Sequence, residues 1–342
     1  MPNWIQLLKP SRNPFHASRM ILGALAFGLP MGWFVLQGQN QHAAYAGFGI
    51  IASLFMDIGG TRRLRLESMF VGNAVILGAA SFSLALNHSW PIWIAGVVLL
   101  FSLIGSNLAA GFALDLKLRL LACAYLIGYP GTMISGDILP LYLLGAVFTM
   151  GLSTAFAPRI NNPVALPSPP HWRLDWQKLK SGQKAGLTFG VFLGLACASS
   201  FFAAHTFNLY APNLAAVTTL MVFRPEPDRT ESTIWLRITG VLLASTLAWT
   251  LVFPAQSSWQ LLLLAIIAGA LLPVAFANGL MYVAAQITFI MYVILALLGV
   301  SGRMAQHFAE MRLVETLLGA FTAAVFAMIY ELLTSKQQPS KP

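Results

Sequence analysis

Long apolar segments alternate with short polar gaps along almost the whole chain. Twelve such segments stand out, at roughly 20–37, 42–56, 67–87, 91–111, 118–134, 138–157, 185–204, 210–223, 233–253, 258–277, 279–300 and 311–332. A hydrocarbon core of about 30 Å takes roughly 20 apolar residues per helix. A chain inside lipid must satisfy its own backbone groups, which only helices and closed barrels do. The alternating, turn-punctuated pattern of a membrane barrel is absent. The pattern therefore predicts an all-α polytopic membrane protein with about 12 transmembrane helices joined by short loops.

Composition agrees with this reading. Of 342 residues, 57% are hydrophobic and 9% charged, whereas soluble domains carry about 25% charge. The net charge of +9 would suggest nucleic acid in a soluble protein. Here the basic residues sit in the gaps between apolar runs, so the excess reads as membrane orientation, and a nucleic-acid partner is not expected. With the N-terminus inside, 18 of the 20 Lys and Arg residues fall on the cytoplasmic side, and only Arg303 and Arg312 lie towards the other. Both termini are then cytoplasmic. The first 19 residues lack the cleavage site of a signal peptide and are followed by many apolar runs.

Candidate chemistry is sparse. Cys123 and Cys197 lie inside apolar runs and offer neither a disulfide framework nor metal spacing. The sequence has no P-loop, dinucleotide fingerprint or zinc-protease motif, so no cofactor and no metal are expected. With no Ser–His–Asp or paired-carboxylate arrangement either, an enzyme is not expected.

A shift of 168 residues lays the six spans of one half on the six of the other, in order. Trp4 then meets Trp172, Ala43 meets Ala211, Phe55 meets Phe223, Gly72 meets Gly240 and Gly111 meets Gly279. Each half opens with a Trp-bearing basic segment, "NWIQLLK" and "HWRLDWQKLK", suited to an interfacial helix against membrane lipid. The expected organisation is a first six-helix repeat at 1–157, a Pro-rich linker at 158–170, a second repeat at 171–335 and a cytoplasmic tail at 336–342. Six spans per half is an even number, so both halves enter from the same side. The repeat is parallel, a pseudo-dimer fused into one chain.

Short spans at corresponding positions of two repeats point to a transport site. The second and eighth spans fit, and both run into charge clusters, "MDIGGTRRLRLE" and "FRPEPDRTE". The alternative is a pair of tilted spans in thinned bilayer. The charged turns, with Asp57, Arg63, Arg224 and Arg229, are expected to form the cytoplasmic mouth of a substrate path. Arginine there meets a carboxylate at two points. Arg237 opens the ninth span, where its long side chain can also snorkel to the interface. Arg312 and Glu315, three apart, share one helix face and make either a functional or a self-neutralising pair. Arg237 and Arg312 complete the expected substrate-binding set, and Asp57 and Glu315 are the carboxylates nominated for proton coupling. Tyr282, Gln286, Thr288 and Tyr292 stripe the eleventh span, lining a polar path or hydrogen-bonding neighbouring helices.

The steps "RPEPDRTESTIWLRITGVLLAS" and "RLVETLLGAFTA" resemble the fusaric acid resistance and aromatic acid exporter superfamily, to which plant aluminium-activated malate channels are related. The resemblance covers nearly all of the membrane portion. It rests on Arg237, Thr239 and Gly240 in the first motif and Arg312, Thr316 and Gly319 in the second. In the first half Gly72 is present, but Met69 stands where the second half has Arg237. Many relatives also carry a large cytoplasmic domain after a six-helix block, and here only the linker and tail take its place. The resemblance implies efflux of organic, often aromatic, carboxylates across a bacterial plasma membrane. It also implies a periplasmic adaptor of the membrane-fusion type as a partner. With no nucleotide-binding motif, the expected function is a proton-driven exporter of small organic anions. A passive anion channel, or a membrane subunit without transport of its own, is the alternative.

Overall fold

The computed structural model describes residues 17–57, 59–86, 88–129, 138–156, 171–255 and 257–335. The first expected interfacial segment, the linker and the tail lie outside them. Every one of the twelve apolar segments contains a helix: α1 (Ala17–Leu36), α2 (Asn40–Met56), α3 (Arg62–Leu86), α4 (Trp90–Ser106), α5 (Phe112–Ile127), α6 (Ile138–Ala155), α8 (Leu187–Thr206), α9 (Pro212–Val222), α10 (Pro227–Leu247), α11 (Ser258–Asn278), α12 (Leu280–Leu297) and α13 (Gly302–Ser335). The short α7 (Trp172–Lys180) precedes α8, and α10 runs on into a π-helical turn at Ala248–Val252. No strand occurs among the described residues.

Eight helices are long and apolar enough to cross a membrane: α1, α3, α6, α8, α10 with its π turn, α11, α12 and α13. α4 and α9 are shorter apolar helices, and α2 and α5 have 17 and 16 residues. Exposed faces of the helices are apolar too: Leu99 on α4 is 71% exposed, Leu187 on α8 72% and Phe321 on α13 68%. Water would penalise so much exposed hydrocarbon, and lipid does not.

Local sequence explains several helix ends. α11 opens on a capping box in which Ser257 and Gln260 satisfy each other's backbone N–H groups. α9 starts at Pro212, where a missing N–H costs nothing. It stops before Pro225 and Pro227, which forbid its continuation. After α2, Gly59 (φ +82°) and Gly60 (φ +93°) take a left-handed turn that favours glycine.

Contacts divide the chain into two compact units, with boundaries inside α3 after Asn73, inside α10 before Leu236 and inside α13 after Glu310. The first unit holds α1, α2, α6, α11, α12 and the adjoining parts of α3, α10 and α13. In it α1 packs on α11 and α2 on α6. These contacts run through small residues: a Cβ on Gly23 would lie 2.1 Å from the Gly269 carbonyl oxygen. Lipid is as apolar as a leucine surface, so membrane helices associate where small residues let backbones approach. Phe27, Met31, Ile50, Ile290 and Ile294 fill the core around these contacts. Tyr292 Oη meets Ser245 Oγ at 2.9 Å, and Gln286 Nε2 donates to Ala268 O at 2.5 Å. Two members of the polar stripe on α12 thus hydrogen-bond neighbouring helices.

The second unit holds α4, α5, α7, α8, α9 and the remaining parts of α3, α10 and α13. Here α4 packs on α8, and α9 on both α8 and α5. A Cβ on Gly190 would lie 2.2 Å from Ser102 O. The core is aromatic, with Trp93 stacked on Tyr125 at 5.6 Å and Phe101, Phe189 and Phe201 around them. Trp93 Nε1 donates to Ser83 Oγ at 2.8 Å and Tyr125 Oη to Trp93 O at 3.0 Å, so the buried polar tips are satisfied.

α5 departs most from the expected spans. It begins at Phe112 rather than 118 and ends at Ile127 rather than 134. Asp115, Lys117 and Arg119, which precede or only just enter the expected span, lie in its first two turns, and Lys117 and Arg119 are each 4% exposed. The cause is a long-range cap. Asp175 on α7 accepts from Ala113 N at 3.0 Å and from Leu114 N at 3.2 Å, satisfying free amides of the α5 N-terminus. α7 also presents exposed Leu174 and Trp176 beside Lys178 and Lys180, the composition of an interfacial helix.

Candidate functional site

In the first unit, the site centres on Asp57 at the end of α2. Its carboxylate takes a two-point contact from Arg65, with Nε at 2.8 Å and Nη2 at 2.5 Å. Ser153 Oγ on α6 donates at 2.6 Å and Gly59 N at 3.1 Å. Burial alone would raise the Asp57 pKa. The Arg65 contact, the Ser153 hydroxyl and the Arg19 charge outweigh it and hold the carboxyl below its ordinary value. Asp57 is therefore a fixed anion tying α2 to α3 and α6. One turn away, Asn73 donates to Ser53 Oγ at 3.0 Å and accepts from Tyr142 Oη at 2.7 Å. These bonds join the same three helices.

The guanidinium beside Asp57 is that of Arg65, which the sequence reading did not nominate. Arg63, which it did, is exposed on the first turn of α3. The signal was helix phase: Arg65, Ser68, Met69 and Asn73 fall on one face once α3 starts at Arg62, and all four are buried.

In the second unit, Arg312 and Glu315 project from α13 onto the first turn of α9. Arg312 Nη1 donates to Leu214 O at 3.4 Å, and Ala211 N donates to Glu315 Oε1 at 2.7 Å. One turn further, Gly319 lets α13 approach α9 so closely that a Cβ would sit 2.3 Å from Ala215 O. Thr219 Oγ1 then reaches Gly319 O at 2.9 Å. Arg312, Glu315 and Gly319 thus form one ridge along the short helix. Glu315 is 1% exposed, and its second oxygen, Oε2, is buried without a hydrogen-bond partner. A carboxylate at the α9 N-terminus also faces the positive end of the helix dipole.

The other nominated arginines divide by exposure. Arg237 is only 8% exposed; because α10 begins at Pro227, Arg237 sits in its third turn and does not snorkel out. Three residues on, a Cβ on Gly240 would lie 2.6 Å from Met281 O, which explains the small residue in that motif. Arg224 is half-buried in the turn after α9, where its N–H donates to Thr230 Oγ1 at 3.0 Å. Arg229 is exposed on the first turn of α10. Arg119, buried in α5, was read from sequence only as a cytoplasmic charge.

No curated protein and no solved structure gives a significant match to the chain. Residues 195–326 match the family model described as "Fusaric acid resistance protein-like". That stretch runs from α8 into α13 and holds both motif steps, with Arg237 and Gly240 in one and Arg312, Glu315 and Gly319 in the other. Over those residues, less than half of the chain, the protein is similar to the fusaric acid resistance family, and the apolar helices around them suit a multi-pass membrane protein of transporter type.

Proposed function

We propose that the protein is a proton-driven exporter of small organic acids, aromatic carboxylates among them. The observation that carries this reading is Glu315. A buried carboxylate in a spanning helix costs free energy unless it has work to do. One oxygen of Glu315 is bonded to Ala211 N and the other has no partner, so a proton can come and go without breaking a network. Asp57 has no such vacancy, because Arg65, Ser153 and Gly59 occupy both its oxygens. Of the two nominated carboxylates, Glu315 is the proposed proton carrier and Asp57 the fixed counter-ion.

Arg312 stands one turn from Glu315 on the same ridge and is the proposed meeting point of substrate and proton. An incoming anion competes with the Glu315 carboxylate for the Arg312 guanidinium, so the protonation of Glu315 and the occupancy of the site are linked. Arg63, Arg224 and Arg229 lie at the starts of α3 and α10 or just before, and would draw the anion in. Arg237, buried in the first unit, is proposed as a substrate contact in its own right.

The parallel repeat is part of the proposal. Helices related by the 168-residue shift make related contacts: α1 on α11 in one unit corresponds to α8 on α4 in the other. Each compact unit takes helices from both halves of the chain, as a fused pseudo-dimer with exchanged elements would. The bias of basic residues supports cytoplasmic termini in a bacterial inner membrane. A periplasmic adaptor of the membrane-fusion type is the proposed partner.

Glu315→Gln and Arg312→Gln, compared with the parent protein at verified abundance, test the assignment in membrane vesicles with benzoate as substrate. Glu315→Gln is expected to lose proton-driven accumulation at least about tenfold, since its neutral amide carries no proton. Arg312→Gln is expected to weaken substrate affinity. Parental accumulation by both variants would overturn the assignment.

A further inference from the structure

We infer that Arg119 and Arg224, at the C-terminal end of α9, form a binding site for the carboxylate of an organic acid. The choice of ligand class rests on the exporter reading above.

The site arises from the way α9 ends. In a continuing helix the Arg224 N–H would turn to Leu220 O. Pro225 stops the helix, and Arg224 N instead donates to Thr230 Oγ1 at 3.0 Å, while Thr230 Oγ1 donates to Arg224 O at 3.1 Å. The freed Leu220 carbonyl accepts from Arg119 Nη1, reaching across from α5. Free carbonyls at a helix C-terminus carry partial negative charge and favour a cation. That contact fixes the guanidinium but uses only part of it. Arg119 is 4% exposed, and its Nε–H is buried with no partner.

The charges around it do not balance. Arg224 is half-buried close enough to repel Arg119, and the one carboxylate that attracts both is Asp115. Asp115 does not complete them. Both of its oxygens accept from Ala109 N, each at 3.1 Å, and among the described residues no carboxylate lies within ion-pair distance of Arg119 or Arg224. Glu226 also attracts Arg224, but Asp115 is the carboxylate that attracts Arg119, and both its oxygens are taken, so Arg119 has no counter-ion in contact among the described residues. Buried charge without a hydrogen-bonded counter-ion is unfavourable, and an incoming carboxylate would supply both the charge and the acceptor that Nε lacks. Arginine is suited to that role because its planar fork binds both oxygens at once. α9 then meets an anion at this end and the Glu315–Arg312 ridge at the other, so a single short helix joins the two.

The test is benzoate binding to the full-length protein in phosphatidylcholine nanodiscs, by calorimetry, with transport measured in parallel. Arg119→Gln is expected to weaken binding about tenfold or more, the effect of losing one charge-assisted contact. Arg119→Lys, which keeps the charge and loses the fork, is expected to restore it only in part. Arg224→Gln, at a half-buried turn, carries the test if the Arg119 variants do not fold, and is expected to weaken binding as well. Parental affinity in folded Arg119 variants, or in Arg224→Gln alone where those do not fold, overturns the site while leaving the exporter reading intact if transport persists. A parent protein that neither binds nor moves benzoate overturns both.

Discussion

Adding a single methyl group to Gly145 should unseat α6 from α2, while the same change at Gly151, six residues along the same helix, should pass unnoticed or help. A Cβ on Gly145 would lie 2.1 Å from Ala46 O and 2.9 Å from Ala46 C, both backbone atoms of α2. The contact is reciprocal, since a Cβ on Gly49 of α2 would lie 2.0 Å from Tyr142 O. Backbone cannot swing aside as a flexible side chain can, so the two helices must separate along their length. Overpacking a well-filled core costs about 1–3 kcal/mol, and Gly145→Ala is expected at or above the top of that range. Separation would also pull Ser153 away from Asp57. Gly151 has nothing within 4 Å of its Cβ position, and alanine is favoured over glycine in a helix by up to about 1 kcal/mol. Thermal unfolding of purified protein in detergent reads the difference. Equal midpoints for the two variants would mean that the close α2–α6 approach does not hold the first unit together.

The second large effect is expected at Arg65. Its side chain is 3% exposed and that of Asp57 7%, with 2.5 Å between Nη2 and Oδ2. Removing one partner of a buried pair leaves the other charge stranded, typically at a cost of about 3–5 kcal/mol. Arg65→Met should therefore greatly reduce folded protein. The double variant Asp57→Asn/Arg65→Met should recover much of the loss, because neither site is then left charged and unpaired. The pH dependence has a definite sign. The Asp57 pKa is lowered in the fold, so its contribution is full above the ordinary carboxylate value and disappears as pH falls through the folded value. The double variant should lack that acid-side loss. A double variant as unstable as Arg65→Met would show that the arginine acts through packing and not through the pair.

The architecture was legible because the membrane simplifies it. Apolar segments long enough for lipid must be helical, and all twelve contain helices. The early stop of α9 was written in Pro225 and Pro227. What hydropathy does not carry is rotation about a helix axis. Arg63 and Arg65 look alike in a window average, yet one is exposed and the other is the partner of Asp57. The same averaging delayed α5 to 118. Asp115, Lys117 and Arg119 count as loop residues to a hydropathy scan, and only the cap from Asp175, more than fifty residues away in sequence, allows a helix to begin before them. Arg312 and Glu315 were found because three-residue spacing is visible in one dimension. That they point at α9 was not, since nothing local links α13 to Ala211 and Leu214.

The central claim, export of organic acids driven by protons, is tested most directly by benzoate uptake into inside-out membrane vesicles holding the parent protein. The account predicts accumulation above the external concentration when the vesicle interior is acidified, and its collapse on adding an uncoupler. Equilibration without accumulation, unchanged by the uncoupler, would contradict it and identify a passive anion path instead.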